Sequence, residues 1–190
     1  SPIRIATRCA IPMNGGPVPS GWFDVVEWTS FDGVPPQVLV DDDDPLRLMY
    51  TSGTESRPKG AMLSSRALMW QYVSCCINAE IVEHDRLLHA LPLYHCAQLD
   101  VFLGPAIYVG CTNVITSKPT PDNLLDLLER HAINSFFAPP TVWIALLRSP
   151  LFDPARLNRL NKGYYGASIM PEALLRRALE LMPRVRFTQS

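Results

Sequence analysis

From Leu46 onward, short apolar runs alternate with longer stretches in which apolar residues recur every three or four positions. The short runs read as strands and the longer stretches as helices. Strands are predicted over 46–50, 86–91, 112–115, 133–138, 162–165 and 185–188. The first helix opens at Ser64 or Ser65 and carries Leu68, Met69, Tyr72, Val73 and Cys76 on one side. A second begins near Leu99 and is interrupted or kinked at Pro105, which cannot donate a helical hydrogen bond. The third has Thr120 as its cap, with Pro121 and Asp122 in the first turn and a stripe of Leu124, Leu125, Leu127 and Leu128 up to His131. Two more are predicted from Thr141 to Arg148 and from Pro171 to Met182. Strands alternating with helices across short connections imply an α/β fold, a layered, parallel-rich sheet with flanking helices.

Before Leu46 the pattern is weaker. Ile3–Ala6 could form a strand, Gly15-Gly16-Pro17 a loop, and Ser20 could cap a short helix carrying Trp22, Phe23, Val26 and Trp28. Asp41 to Asp44 form a like-charge run that reads as a solvated linker. The chain therefore divides into a lead-in segment over 1–40 and a core over 41–190, both of one domain.

Composition narrows the function classes. At 190 residues, 47% hydrophobic and 18% charged, the chain is long enough for one core. A net charge of -1 gives no field that would recruit nucleic acid or an anionic membrane. No run approaches the roughly 18 to 20 apolar residues of a membrane span, and the N-terminus lacks the apolar stretch of a signal peptide. The five cysteines, Cys9, Cys75, Cys76, Cys96 and Cys111, show no C-x-x-C spacing and predict neither a disulfide framework nor a metal site. A reducing, cytoplasmic setting is expected, with Cys75 and Cys76 as core filler.

In parallel α/β sheets, ligands gather beyond the carboxyl ends of the strands. Thr51 to Lys59, Pro92 to His95, Pro139-Pro140 and Gly166 to Ser168 each follow a predicted strand, so together they predict a composite site. The richest of them lies within Tyr50-Thr51-Ser52-Gly53-Thr54-Glu55-Ser56-Arg57-Pro58-Lys59-Gly60-Ala61-Met62-Leu63-Ser64. Small residues let backbone N–H groups and hydroxyls close on phosphate oxygens, and the lysine adds a flexible point charge. Gly53 and Gly60 do not frame a G-x-x-x-x-G-K-[ST] pattern, so this is not a Walker loop.

The stretch closely resembles the phosphate-binding loop of the adenylate-forming superfamily, which contains acyl-CoA synthetases, adenylation domains and luciferases. The resemblance implies that Thr51, Ser52, Gly53, Thr54 and Lys59 hold the β- and γ-phosphates of ATP. Glu55 and Ser56 stand where a threonine and a glycine are usual. Glu55 must then point away, pair with Arg57, or weaken nucleotide binding. Leu91-Pro92-Leu93-Tyr94-His95-Cys96-Ala97-Gln98 resembles a second motif, in which Tyr94 and His95 line the acyl pocket; a lone histidine in apolar surroundings can equally be a satisfied core group. Gly163-Tyr164-Tyr165-Gly166-Ala167-Ser168 resembles the segment that packs on adenine, through Gly166, Ala167 and Ser168. Phe136, Phe137 and Trp143 lie in a segment similar to one bordering the acyl tunnel, and core packing accounts for each of them equally well. Trp70, Leu99 and Phe102 could add to an apolar wall, with core as the simpler reading.

The resemblance is strongest to a long-chain fatty acyl-CoA synthetase and covers the central part of its large N-terminal domain. It implies a fatty acid or other carboxylate, ATP and coenzyme A as substrates, and magnesium whose ligand is expected beyond Ser190. The chain is accordingly expected to be a fragment without useful synthetase activity of its own, with apolar surface that favours self-association. Two alternatives are an enzyme loading a carrier protein and a non-catalytic nucleotide-binding or scaffolding module.

Overall fold

The computed structural model describes residues 9–10, 16–25, 37–51 and 59–190, and the chain divides into two compact units, Ser1–Leu39 and Val40–Ser190. In the first unit, β1 (Cys9–Ala10) pairs in parallel with β2 (Phe23–Asp24). The helix expected from Ser20 is not formed across Phe23. Gly21 takes a left-handed φ of 79° in a turn where the Trp22 amide bonds Pro19 O, and the chain leaves that turn extended. The strand expected at Ile3–Ala6 lies outside the described residues.

The second unit opens with an antiparallel hairpin of β3 (Pro45–Thr51) and β4 (Lys59–Ser64). Thr51 faces Lys59 at its open end, so the two ends of the expected phosphate loop are paired strand residues; residues 52–58 between them lie outside the description. Asp41 to Asp44 form an exposed turn, as expected for a solvated linker, and Arg66 reaches Asp43 at 3.0 Å. Ser64 then caps α1 (Ser65–Asn78), accepting from the Ala67 amide at 3.3 Å.

The main sheet is parallel throughout, in the order β6 (Thr112–Ile115), β5 (Arg86–His89), β7 (Ser135–Phe137), β8 (Lys162–Tyr165), β9 (Arg186–Gln189). Between β5 and β6 the chain forms a π-helical segment, Ala97–Leu103, that runs into α2 (Gly104–Val109). The later crossovers are α3 (Pro121–Arg130), α4 (Pro140–Arg148) and α5 (Glu172–Leu181). The five strands and the helices α1 and α3 to α5 overlap the predicted ones. The remaining helix starts two residues before the expected Leu99 and carries its wide turns just ahead of Pro105. Pro105 lies at the start of α2, where its missing N–H interrupts least. Thr120 stands at the expected cap of α3, but its side chain makes no capping bond there.

Alternate strand residues feed two cores, as the period-two geometry of strands requires. Leu88, Phe136 and Tyr165 face α3, α4 and α5, where Leu124, Leu128, Trp143 and Leu146 are buried. Leu87, Phe137 and Tyr164 face the other layer, with Phe102, Ala106 and Cys111. Helix α1 joins this layer at close range. A side chain at Gly104 would run into the Tyr72 ring at 2.5 Å, so only glycine permits that approach.

Candidate functional site

The strand order places one feature of the site before any side chain is considered. The chain leaves β5 for β6 on one side and then crosses back to β7 on the other, so β5 and β7 flank the point where the order reverses. The loops that leave two such strands diverge and open a crevice at their carboxyl ends.

A cavity of about 160 Å³ lies there. It is lined after β5 by Leu91, Pro92, Tyr94, His95, Ala97 and Gln98, after β7 by Phe137 and Pro139, and after β8 by Ala167. Three of the four segments singled out in the sequence thus converge. Of the fourth only the ends, Thr51 and Lys59, lie within the described residues; they belong to the hairpin, a separate sheet that is tied in at one remove. Arg47 of β3 pairs with the buried Asp100 of the π-helical segment, two residues beyond Gln98. A larger recess of about 340 Å³ lies at the opposite, N-terminal edge, between the 154–160 loop and the turn into β9; it gathers no catalytic type of side chain.

His95 and Tyr94 are exposed, and Tyr94 keeps 86% of its surface open. His95 Nδ1 accepts the Ala97 amide at 3.1 Å. In the neutral ring this leaves the proton on Nε2, a donor suited to an anionic oxygen. Ala167 adopts a left-handed φ of 62°, a conformation that costs an ordinary residue about 1 kcal/mol or more. Gly166 before it is buried, and an added Cβ would lie 2.5 Å from Ser190 O. Close packing on the last strand therefore requires its lack of a side chain. Ser168 is exposed beside it.

The aromatic candidates separate. Phe137 lines the cavity and stacks on Phe102 with ring centroids 4.4 Å apart. Phe136 and Trp143 are core groups of the opposite layer, and the Trp143 indole donates to Tyr164 O at 3.0 Å. Phe102 is likewise core, Leu99 is half-buried, and Trp70 is exposed on α1.

Under the cavity runs a polar chain that the sequence did not announce. His89 is buried between Asn113 Oδ1, 2.7 Å from Nε2, and Gln98 Nε2, 2.7 Å from Nδ1. Burial holds its pKa below the ordinary value. The only sequence signal was a histidine inside the strand predicted over 86–91. Other buried titratable groups are structural. Burial, with Asp85 nearby, pushes the Cys111 thiol up to about 11, and burial pushes Tyr164 up to about 12. Among the described residues, no group of three His, Cys, Asp or Glu side chains converges as a metal site.

A parallel α/β domain with its crevice at the switch point and a small-residue segment beside it is the nucleotide-binding class of architecture. The match to known proteins is more specific. Residues 10–190 fit the AMP-binding enzyme family, and the chain belongs to that family. It is 34% identical over 160 residues to an indoleacetate–CoA ligase of Aromatoleum aromaticum, covering 83% of this chain and 31% of that protein. It is 33% identical over 163 residues to a feruloyl-CoA synthase of Amycolatopsis, covering 86% and 32%. Among solved structures, ATP-bound MatB from Rhodopseudomonas palustris superposes with a TM-score of 0.70 at 27% identity, covering 79% of this chain and 30% of that one. The chain thus spans about a third of the length of the curated relatives it matches.

Proposed function

We propose that this chain works as the nucleotide- and acyl-binding core of an ATP-dependent acid–CoA ligase. The observation that carries the reading is the apolar cavity with His95 on its wall, at the switch point of a sheet in a chain of the AMP-binding family. In the proposed reaction a carboxylate oxygen attacks the α-phosphorus of ATP and pyrophosphate leaves. The thiolate of coenzyme A then attacks the acyl carbon and AMP leaves. Thr51, Ser52, Gly53, Thr54 and Lys59 would take the β- and γ-phosphates, and Gly166, Ala167 and Ser168 the adenine. Tyr94 and His95 would border the acyl group, with the His95 Nε2–H donating to the carboxylate. That donor orients and does not deprotonate, because the nucleophile is already an anion. Magnesium would neutralise phosphate charge when bound; among the described residues no three His, Cys, Asp or Glu side chains gather to hold it.

For the acyl group we propose a fatty acid, a reading supported by the Glu55-Ser56-Arg57 loop variant and the Tyr94-His95 pair. An aromatic acid is the second reading, favoured by relatives named for indoleacetate and ferulate. We place the work in the cytoplasm. The free thiols of Cys75, Cys76, Cys96 and Cys111 fit that setting, and among the described residues no helix is long and apolar enough to cross a membrane.

The test is ATP–pyrophosphate exchange by a longer protein carrying this chain, with decanoate and ferulate offered separately. Lys59→Ala should abolish exchange while leaving the fold intact. Exchange that persists at full rate sinks the phosphate assignment, and no exchange with any acid favours a binding module. The 190-residue chain by itself should show no useful turnover.

A further inference from the structure

We propose that Gln98 is a positioning residue. It fastens the start of the cavity's His95-bearing wall to the buried histidine of β5. The argument begins at two backbone groups whose hydrogen-bonding sense is fixed. Cys111 O can only accept, so the Asn113 amide nitrogen that reaches it at 2.9 Å must donate, which turns Asn113 Oδ1 toward His89. At the other end, the Leu91 N–H can only donate. Gln98 Oε1, 3.3 Å away, must therefore face it, and Gln98 Nε2 faces His89 Nδ1.

The imidazole is thus offered an acceptor at Nε2 and a donor at Nδ1. Only the neutral ring with its proton on Nε2 satisfies both. Bonds then run in one sense from Leu91 through Gln98, His89 and Asn113 to Cys111 O. Gln98 is fully buried and lines the cavity, and His95 lies four residues beyond the anchored Leu91. An isosteric apolar side chain would fill the same space but leave the Leu91 amide without its acceptor and the buried His89 Nδ1 without its donor.

A proton on His89 would undo the same connection. Nδ1–H would meet the Gln98 NH₂, and turning the amide to repair that contact would present NH₂ to Leu91 N–H. The groups facing the ring from β6 and from the π-helical segment, Asn113 and Gln98, are both neutral. On that segment Asp100 is paired with Arg47 of β3, and His95 is the titratable group on the wall itself.

The role in catalysis rests on the proposed function; the connection itself does not, and the experiment separates them. In the 190-residue chain, Gln98→Met should speed hydrogen exchange of the Leu91 amide roughly 2- to 10-fold, with Leu146 in the opposite core unchanged. Nitrogen NMR of His89 should show the Nε2–H tautomer in the native chain. In Gln98→Glu it should show both ring nitrogens protonated at neutral pH, with Leu91 protection restored. In the longer protein, Gln98→Met should raise KM for the carboxylate several-fold and leave KM for ATP as it was. Unchanged Leu91 exchange, or equal loss at Leu91 and Leu146, overturns the proposal. An altered Leu91 with no carboxylate chemistry in any form overturns the proposed function and keeps the connection.

Discussion

The two edges of the parallel sheet are both made of loops, yet they use polar groups in opposite ways. At the N-terminal edge, Asp85 is buried and fully engaged. Lys162 Nζ lies 2.7 Å from one carboxylate oxygen, the Asn134 amide donates to the other at 3.0 Å, and the Val82 amide adds a bond at 2.9 Å. Lys162 also donates to Glu80 O, so three segments, the turn over 80–85, Asn134 and Lys162, meet on one ion pair. At the C-terminal edge the polar chain through His89 is neutral throughout and lies beneath the surface. Above it, His95, Tyr94 and Ser168 are left open. One edge spends its charges on holding the strands in place, and the other keeps its polar groups available to something else.

The sharpest way to break this contrast is to strip one charge from the closed edge. Lys162→Met leaves the Asp85 carboxylate buried without its cation and should cost about 3 kcal/mol or more in urea unfolding. At the open edge, His95→Ala should move the same measurement by no more than about 0.5 kcal/mol. Equal effects would erase the distinction.

Acid titration probes the layer between the edges. The His89 pKa is depressed in the folded chain, so below its ordinary value of 6.5 the unfolded chain binds the extra proton. Its contribution is present above that pH and is lost as the pH falls from there through the folded value. The limiting slope is about 1.4 kcal/mol per pH unit. His89→Gln should flatten this part of the stability profile, and an unchanged slope would mean that other groups carry it. The smallest effect is expected at Ala167. Replacing it by glycine relieves the left-handed conformation but loosens the unfolded chain, for a net gain of roughly 0.5 kcal/mol in thermal unfolding. A loss of stability would show that the Ala167 methyl is held by packing on the cavity wall.

Much of the sheet could be read directly. Thr112–Ile115 and Lys162–Tyr165 match their predicted bounds because each ends in β-branched or aromatic residues and is set off by helix signals along the chain. The strand Lys59–Ser64 could not be read that way. Its residues are mostly exposed and include neither a β-branched nor an aromatic side chain, so only pairing with Pro45–Thr51 makes it a strand. Three segments of the site were visible as odd residues after strands. The order that brings the loops after β5 and β7 together was not, because strand order depends on crossovers and not on local pattern. Nor was the polar chain, since His89 finds its partners nine and 24 residues away. Gly166 was expected to be small for a ligand's sake, whereas its neighbour Ser190 already leaves no room for a Cβ.

The wide turns from Ala97 to Leu103 add a matter of counting. A π-helical stretch holds a surplus residue relative to an ordinary helix, and such surpluses can be taken up or given back. Deleting one position there would let the segment wind normally and swing whatever precedes it by roughly 100°. Ala97 and Gln98 would then turn away from the cavity while the helix beyond Pro105 stayed in place. A change of acid preference, together with the lower melting temperature that freeing Gln98 from Leu91 and His89 entails, is the expected mark of such a deletion. The pocket could in this way be retuned by the loss of a single codon, with no side chain exchanged for another.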